Sequence, residues 1–409
     1  MPSPARPHYL VINRYDDSDA EYFRYCADHP CDLSYLTLNG YTKALGPVEP
    51  GRIRAVPDLQ PATLAPPARA LAEQYGRFHG IVALSEYDVL TAALMREEFG
   101  TPGPGADLVR AFKDKVVMKD RLAKRGLPVP RFMELGASTT IAEISAGIGF
   151  PLVLKPRAEA GSVGVRIISG EEELVAALDG LDVTAFECEE FISTEIYHAD
   201  GVLSEGERHF LSVSGYLNTP LDFLRGKPLG SVTLDPGPLR DEIGEFAVAC
   251  LKALGLVTGC FHVEVIRQPD GGLVFLEAGM RAGGAEVPYI HRDLHGIDLM
   301  TESFRTVLGI PLLSAGVRFG DAPAGWVVMP EPDRRPSRVV RRSAMVDSVP
   351  QVYAEVLPEP GEIFDGTGGY FHVPGRFRLA GPDERGIRAA ARRVMQEYVV
   401  EFEPVDPTP

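Results

Sequence analysis

The sequence predicts an α/β protein that opens with a parallel α/β domain and continues into a mixed-sheet body. Three observations carry this. Short apolar strands alternate with helices over the first hundred or so residues. A buried strand, Phe150-Pro-Leu-Val-Leu-Lys155, ends in a lysine and runs into a loop of small residues. Further on, Cys260 to Arg281 reads as two strands around a Pro269-Asp-Gly-Gly272 turn, and an Asp-Gly pair between apolar runs is a hairpin signal.

The 409 residues suffice for roughly two or three domains. Hydrophobic content of 45% and charged content of 24% suit a globular chain. A net charge of -16 argues against nucleic acid and anionic membranes as partners, though a local basic site can still take a phosphate. No apolar run is long enough to span a bilayer, and Met1-Pro-Ser-Pro-Ala-Arg-Pro7 has no apolar core of a secretory signal. Cys26, Cys31, Cys188, Cys250 and Cys260 are scattered, match no zinc pattern, and predict a reduced, cytoplasmic chain.

In order, His8 to Arg14 reads as a buried strand and Asp19 to Cys26 as helical. Pro47 to Pro67 reads as loop with short strands, Ala68 to Phe78 as a helix, Gly80 to Leu84 as a strand and Val89 to Phe99 as a helix. The Gly/Pro loop 100–105 places a boundary near residue 110. Asp114 can cap a helix over Lys115 to Lys124, with Val117, Met118, Arg121 and Leu122 along one side. After Lys155 come the loop Arg157 to Val165, the strand Arg166 to Ile168 and a helix from Glu171 to Leu178. An acidic strand, Phe186 to Ile192, leads into Glu195 to Asp200. Leu217 to Pro238 reads as a mobile loop and Asp241 to Leu254 as a helix. From Phe319 the chain becomes short strands with one helix, Asp383 to Glu397. No internal repeat is present.

Phosphate-loop, dinucleotide-binding and nucleophile-elbow motifs are all absent from the chain. A lysine ending a buried strand is costly unless paired, and either snorkels out or meets an anion. The backbone amides of Gly161-Ser-Val-Gly164 have little steric cover, which suits phosphate oxygens. In the hairpin, centring the turn between Asp270 and Gly271 sets Glu264 opposite Glu277 and His262 opposite Gly279. Val263, Val265, Leu276 and Ala278 then share the other face. Carboxylates so opposed lie roughly 5 Å apart at Cβ and repel. A cation between them removes that cost, and rigid oxygen ligands suit Mg²⁺. Two ordinary solvated glutamates are the alternative.

Together these motifs resemble the ATP-grasp carboxylate–amine ligases, in the branch of the L-amino-acid ligases (dipeptide synthetases) and carnosine-synthase type. The resemblance rests on Phe112-Lys-Asp-Lys115, Phe150 to Pro156, Ala160 to Gly164, Glu189-Glu-Phe-Ile192 with Glu195, Glu264, and Glu277-Ala-Gly-Met-Arg281-Ala-Gly-Gly. It covers essentially the whole chain. It implies a pre-ATP-grasp domain over 1–110, a lid subdomain over 111–190, a catalytic subdomain over 191–318 and a completing subdomain over 319–409.

The resemblance also implies ATP and Mg²⁺ as cofactors. Lys115 and Lys155 would bind the α and β phosphates, and Gly161, Ser162, Val163 and Gly164 would cover the β and γ phosphates. Glu189 near the amino group, the main chain of Glu190 and Ile192 along the ring edge, and Phe191 between them would hold the adenine, and Glu195 the ribose. Glu264 and Glu277 would hold Mg²⁺. Arg281 would bind the substrate carboxylate and its acyl phosphate, or else pair with a metal carboxylate. The substrates implied are a small carboxylate and an amine, amino acids first among them, and the assembly a homodimer. Residues 216–230 and 282–298 would shape the substrate pocket. A carrier-protein acceptor, phosphate transfer to a hydroxyl, and a nucleotide-binding module without turnover stay open. One departure stands out: the family's asparagine two residues after the second metal glutamate is Gly279 here. His262 or a water is expected in the vacated space, unless His262 is a satisfied supporting residue.

Overall fold

The computed structural model describes residues 6–15, 20–42, 45–367 and 372–405. The opening residues 1–5 and Asp19, both included in the readings above, lie outside them. A four-stranded parallel sheet in the order β3-β2-β1-β4 holds β1 (His8–Asn13), β2 (Asp32–Leu38), β3 (Ile53–Val56) and β4 (Gly80–Val82). The strand β2 went unassigned in the sequence, and β3 is a short strand within the stretch Pro47 to Pro67 read as loop with short strands. The helix expected from Ala68 begins earlier and spans Pro61–Tyr75, with Pro61 at its first position, where no N–H is needed. Pro66 and Pro67 lie inside it, and Leu64, Ala65, Ala68 and Leu71 bury enough apolar surface against the sheet to outweigh the missing backbone bonds.

A second sheet, ordered β5-β8-β6-β7, is antiparallel: β5 (Phe132–Glu134), β6 (Leu152–Pro156), β7 (Arg166–Ile168) and β8 (Phe186–Glu190). Asp114 caps the helix Lys115–Ala123 as expected, its Oδ1 accepting from the N–H groups of Val116 (3.0 Å) and Val117 (3.2 Å). The buried side of that helix differs from the expectation. It is Lys115, Val116, Met118, Lys119 and Leu122, because two of its lysines point inward to carboxylates.

The third sheet has eight strands, each antiparallel to its neighbours, ordered β13-β12-β9-β10-β11-β14-β18-β16. They are β9 (Glu195–Ser204), β10 (Glu207–Tyr216), β11 (Leu229–Thr233), β12 (Gly259–Arg267), β13 (Leu273–Gly279), β14 (Ala324–Val328), β16 (Val352–Val356) and β18 (Arg376–Ala380). Strands β15 (Ser337–Arg342), β17 (Ile363–Phe364) and β19 (Val400–Pro404) form a small sheet beside it. The stretch 217–238 is therefore not a loop. It holds a short helix, Pro220–Leu224, and β11, buried along its whole length between β10 and β14. Small residues there, Gly230 and Ser231, disguised a central strand. A Cβ at Gly230 would lie 2.8 Å from the Trp326 carbonyl, so neighbouring strands demand a glycine.

The helix Pro238–Leu254 packs one face of this sheet through Ile243, Ala247, Cys250, Leu251 and Leu254. Tyr197, Ala199, Phe261, Val263 and Val265 point into that core. Strand alternation turns His198, Asp200, His262 and Glu264 to the opposite face. Among the described residues no helix is long and apolar enough to cross a membrane.

Candidate active site

The hairpin pairs His262 with Gly279, Val263 with Ala278 and Glu264 with Glu277, the expected register. Two deviations cancel to produce it. The turn is centred on Asp270, with Gln268 N–H donating to the Gly272 carbonyl (2.8 Å) and Gly271 at φ 92°. A bulge between Glu264 and Val265 then shifts the register, so Val265 pairs with Phe275. Leu276 is the extra residue and is only half-buried, and Phe275 takes the core position expected for it.

Glu264 and Glu277 both line a cleft of about 900 Å³, together with Gly161, Ser162, Glu86 and Arg281. Tyr216, Pro220 and Leu229 line it as well, as do Tyr289 and Arg292, so both stretches expected at the pocket reach it. Tyr216 donates to Glu264 Oε1 (2.8 Å), and His262 Nε2 lies 3.5 Å from the same oxygen. Lys115 Nζ is 3.3 Å from Glu277 Oε2 and donates to the Glu159 carbonyl (2.6 Å). Burial opposes the charge on Glu277, but Lys115, Lys155 and His262 outweigh it and hold its pKa down to about 2.

That charge balance corrects the expected repulsion between the two glutamates, since protein cations already stabilise Glu277. Glu277→Gln, which relief of that repulsion alone would leave intact or firmer, is instead expected to lower stability by about 1 kcal/mol through loss of the Lys115 pair. The folded pKa lies below the unfolded one, so this contribution is present above about pH 4.5 and fades as pH falls toward 2. Unfolding of both proteins in urea between pH 3 and 7 checks this. A mutant equal to or more stable than wild type at pH 7 would restore the repulsion argument.

Glu264 Oε2 and Glu277 Oε1 accept no protein hydrogen bond among the described residues. Two carboxylate oxygens on opposed strands, facing a cleft, fit a hard divalent cation that completes its shell with phosphate and water. The three buried residues His198, Asp200 and His262 are a different matter. Asp200 accepts from His198 Nδ1 (2.5 Å) and His262 Nδ1 (2.8 Å), and His198 Nε2 meets Ser231 Oγ (2.6 Å). Burial opposes a charge on His262, yet Asp200 and Glu264 raise its pKa to about 10. Both ring nitrogens of His198 and of His262 already face protein oxygens, so this cluster is a supporting network under Glu264. The space at Gly279 is filled neither by His262 nor by its network. A Cβ there would meet Glu86 Oε2 at 3.1 Å and Arg281 Cγ at 3.5 Å.

Lys155 is buried and donates to Glu189 Oε1 (2.5 Å). Lys119, which the sequence reading passed over, donates to Glu189 Oε2 (2.5 Å) and Glu187 Oε1 (2.7 Å). Burial disfavours every one of these charges. Lys155 and Lys119 nevertheless hold the Glu189 pKa below its ordinary value, while Glu187 stays above. The signal was present: Lys115 and Lys119 are one helical turn apart, and Glu187 and Glu189 share one strand face. The Glu189 carboxylate is thus turned into a buried charge network.

The main chain beside it, implied as the adenine site, is largely used, since β8 lies between β5 and β6. Glu190 N–H donates to the Arg131 carbonyl (2.9 Å) and Phe191 N–H to the Pro151 carbonyl (3.3 Å). The Glu190 side chain binds Arg131, and β8 ends there, leaving Phe191 and Ile192 irregular. Glu195, at the start of β9, is exposed, accepts from the Tyr197 hydroxyl (2.8 Å) and lines a separate recess with Arg388. In the loop, Gly161 (φ 63°), Ser162 (φ 60°) and Gly164 (φ 73°) are left-handed, and Val163 and Gly164 are exposed. Arg281 pairs with neither Glu264 nor Glu277. Its Nε donates to Glu86 Oε2 (2.8 Å) and its Nη1 to the Ala282 carbonyl (2.7 Å).

These sheets and this site define the class. A D-alanine–D-alanine ligase of Xanthomonas axonopodis pv. citri is 35% identical over 292 residues, 63% of this chain and 85% of that one. The chain belongs to the ATP-grasp ligases. Its relatives there include an L-arginine-specific L-amino acid ligase of Bacillus subtilis, 29% identical over 237 residues, 56% of this chain and 57% of that one. The solved L-amino acid ligase of Bacillus licheniformis shares the fold over 98% of this chain and 100% of that chain, with a TM-score of 0.77 at 19% identity. No protein-family model matches the chain. It spans about half the length of the first curated relatives it matches.

Proposed function

We propose that the protein joins a carboxylate, an amino acid by preference, to an amine while converting ATP to ADP and phosphate. The observation that carries this reading is the meeting of three parts at Glu277. The lysines Lys115 and Lys155 act on its charge, Glu264 opposes it across the hairpin, and Arg281 ends the same segment in the cleft. In the first step the carboxylate oxygen attacks the γ-phosphorus and ADP leaves. In the second the amine nitrogen attacks the acyl carbon, phosphate leaves, and the amine gives up a proton. Lys115 and Lys155 offset the charge of the phosphates, and Arg281 orients the reacting carboxylate. Glu264 and Glu277 would hold Mg²⁺, which adds positive charge at the phosphates when bound. The loop 161–164 covers the phosphates and excludes water that would hydrolyse the acyl phosphate. The main chain of Glu190 and Ile192, with Phe191 between them, holds the base while the Glu189 carboxylate stays on Lys155 and Lys119, and Glu195 holds the ribose, which requires its side chain to leave Tyr197. A cytoplasmic homodimer goes with this reading.

The test is ADP release with ATP and Mg²⁺ across a mixed panel of amino acids. Release that depends on free amino acids supports ligation. Release that needs a carrier protein or a hydroxyl acceptor moves the reading to those acceptors, and none in any condition leaves a nucleotide-binding module. The loop gives a further expectation. Hydrogen exchange over Gly161 to Val165 is expected to slow at least several-fold with ATP and Mg²⁺. Exchange indifferent to nucleotide would remove the loop from the phosphate site.

A further inference from the structure

We propose that Glu86, on the loop after β4 in the N-terminal α/β region, is a positioning residue for Arg281, and that Gly279 lacks a side chain to leave it room. The inference rests on the reading of Arg281 as the arginine that orients the reacting carboxylate. Glu86 is held on both oxygens: Lys113 Nζ donates to Oε1 (3.0 Å) and to the Glu86 carbonyl (3.1 Å), and Arg281 Nε donates to Oε2 (2.8 Å). Both partners are largely shielded, with side-chain exposures of 12% for Lys113 and 22% for Arg281, so solvent screens these bonds little.

With Nε on Glu86 and Nη1 on the Ala282 carbonyl, the guanidinium plane has two anchors. Nη2 makes no protein hydrogen bond among the described residues, and Glu86 and Arg281 both line the cleft. A planar, doubly anchored guanidinium presents its remaining donors in one direction. Gly279 completes the arrangement. Its φ is not left-handed, so the backbone there does not call for glycine. The demand is for space: a Cβ would sit 3.1 Å from Glu86 Oε2 and 3.7 Å from Arg281 Nε, against the hydrogen bond itself. A side chain at 279 would press on the carboxylate that holds the arginine. Lys113, Glu86 and Arg281 thereby tie the N-terminal region, the linker and the hairpin end together at the cleft.

The test follows Arg281 directly by its rate of modification with phenylglyoxal, read by peptide mass spectrometry. The proteins are wild type, Glu86→Ala, Glu86→Gln, Gly279→Asn and the Glu86→Ala/Gly279→Asn double variant. Labelling of Arg281 is expected to rise several-fold in Glu86→Ala and Gly279→Asn and less in Glu86→Gln, which keeps an acceptor oxygen. The double variant is expected to match Glu86→Ala, because Gly279→Asn acts through Glu86. Turnover should fall in the same order, with kcat lost more than ATP KM rises. Wild-type labelling in Glu86→Ala, or effects of the two substitutions that multiply, would overturn the proposal. Should Glu86→Ala fail to fold, the isosteric Glu86→Gln decides, with unchanged labelling counting against. A wild type with no amino-acid-dependent ADP release would sink the proposed function, and the labelling pattern would still decide the role of Glu86.

Discussion

Arg281→Ala is expected to cut ADP release by about a hundred- to a thousandfold while leaving ATP affinity within about twofold of wild type. The geometry separates the two properties. Arg281 lines the cleft and is bonded to Glu86 and the Ala282 carbonyl, whereas Lys115 pairs with Glu277 and Lys155 with Glu189. A group that meets only the carboxylate as it becomes an acyl phosphate contributes mainly to the transition state. Lys155→Ala should do the reverse and weaken ATP binding at least tenfold. It would also leave Glu189 Oε1 without its donor, with Lys119 alone on the other oxygen, so its fold must be checked first. Steady-state ADP release and calorimetric ATP–Mg²⁺ titration of both variants settle this. Loss of nucleotide affinity in Arg281→Ala as severe as in Lys155→Ala would place Arg281 at a phosphate instead.

The largest stability effect is expected at Lys119. This side chain is completely buried and gives one ammonium to two carboxylates, Glu187 and Glu189. Lys119→Ala leaves at least one carboxylate charge buried without its partner, a change that typically costs about 3–5 kcal/mol. Glu187 would be the one to take up a proton, since burial already holds its pKa above the ordinary value. Lys119→Met paired with Glu187→Gln removes one charge of each sign and should recover most of the loss. Urea unfolding of the single and double variants measures both. A Lys119→Ala protein within about 1 kcal/mol of wild type would mean that solvent reaches the network.

Much of the site could be read along the chain because its signals are local. The Asp114 cap, the strand ending in Lys155 and the small-residue loop after it each depend on neighbours in sequence. The opposition of Glu264 and Glu277 was found with a turn misplaced by half a residue, and a bulge at Leu276 supplied the difference. Strand β11 was missed because Leu229-Gly-Ser-Val-Thr233 carries little apolar pattern of its own. What buries it is β10 on one side and β14 on the other, the latter nearly a hundred residues away in sequence.

Local chemistry therefore determined which residues could carry charge to a phosphate, a metal or a carboxylate, and the order in which they come. It could not determine who neutralises whom. Glu277 was expected to repel Glu264, but Lys115 and Lys155 dominate its charge. Arg281 was expected at a substrate or a metal glutamate, and Glu86, 195 residues earlier, holds it. His262 was offered the space at Gly279, and Glu86 fills it. Coulomb energy between two groups depends on their separation and on the water left between them. Both quantities come into being only when distant segments pack, so the charged residues of the cleft are legible in the sequence and their partners are decided by the tertiary structure.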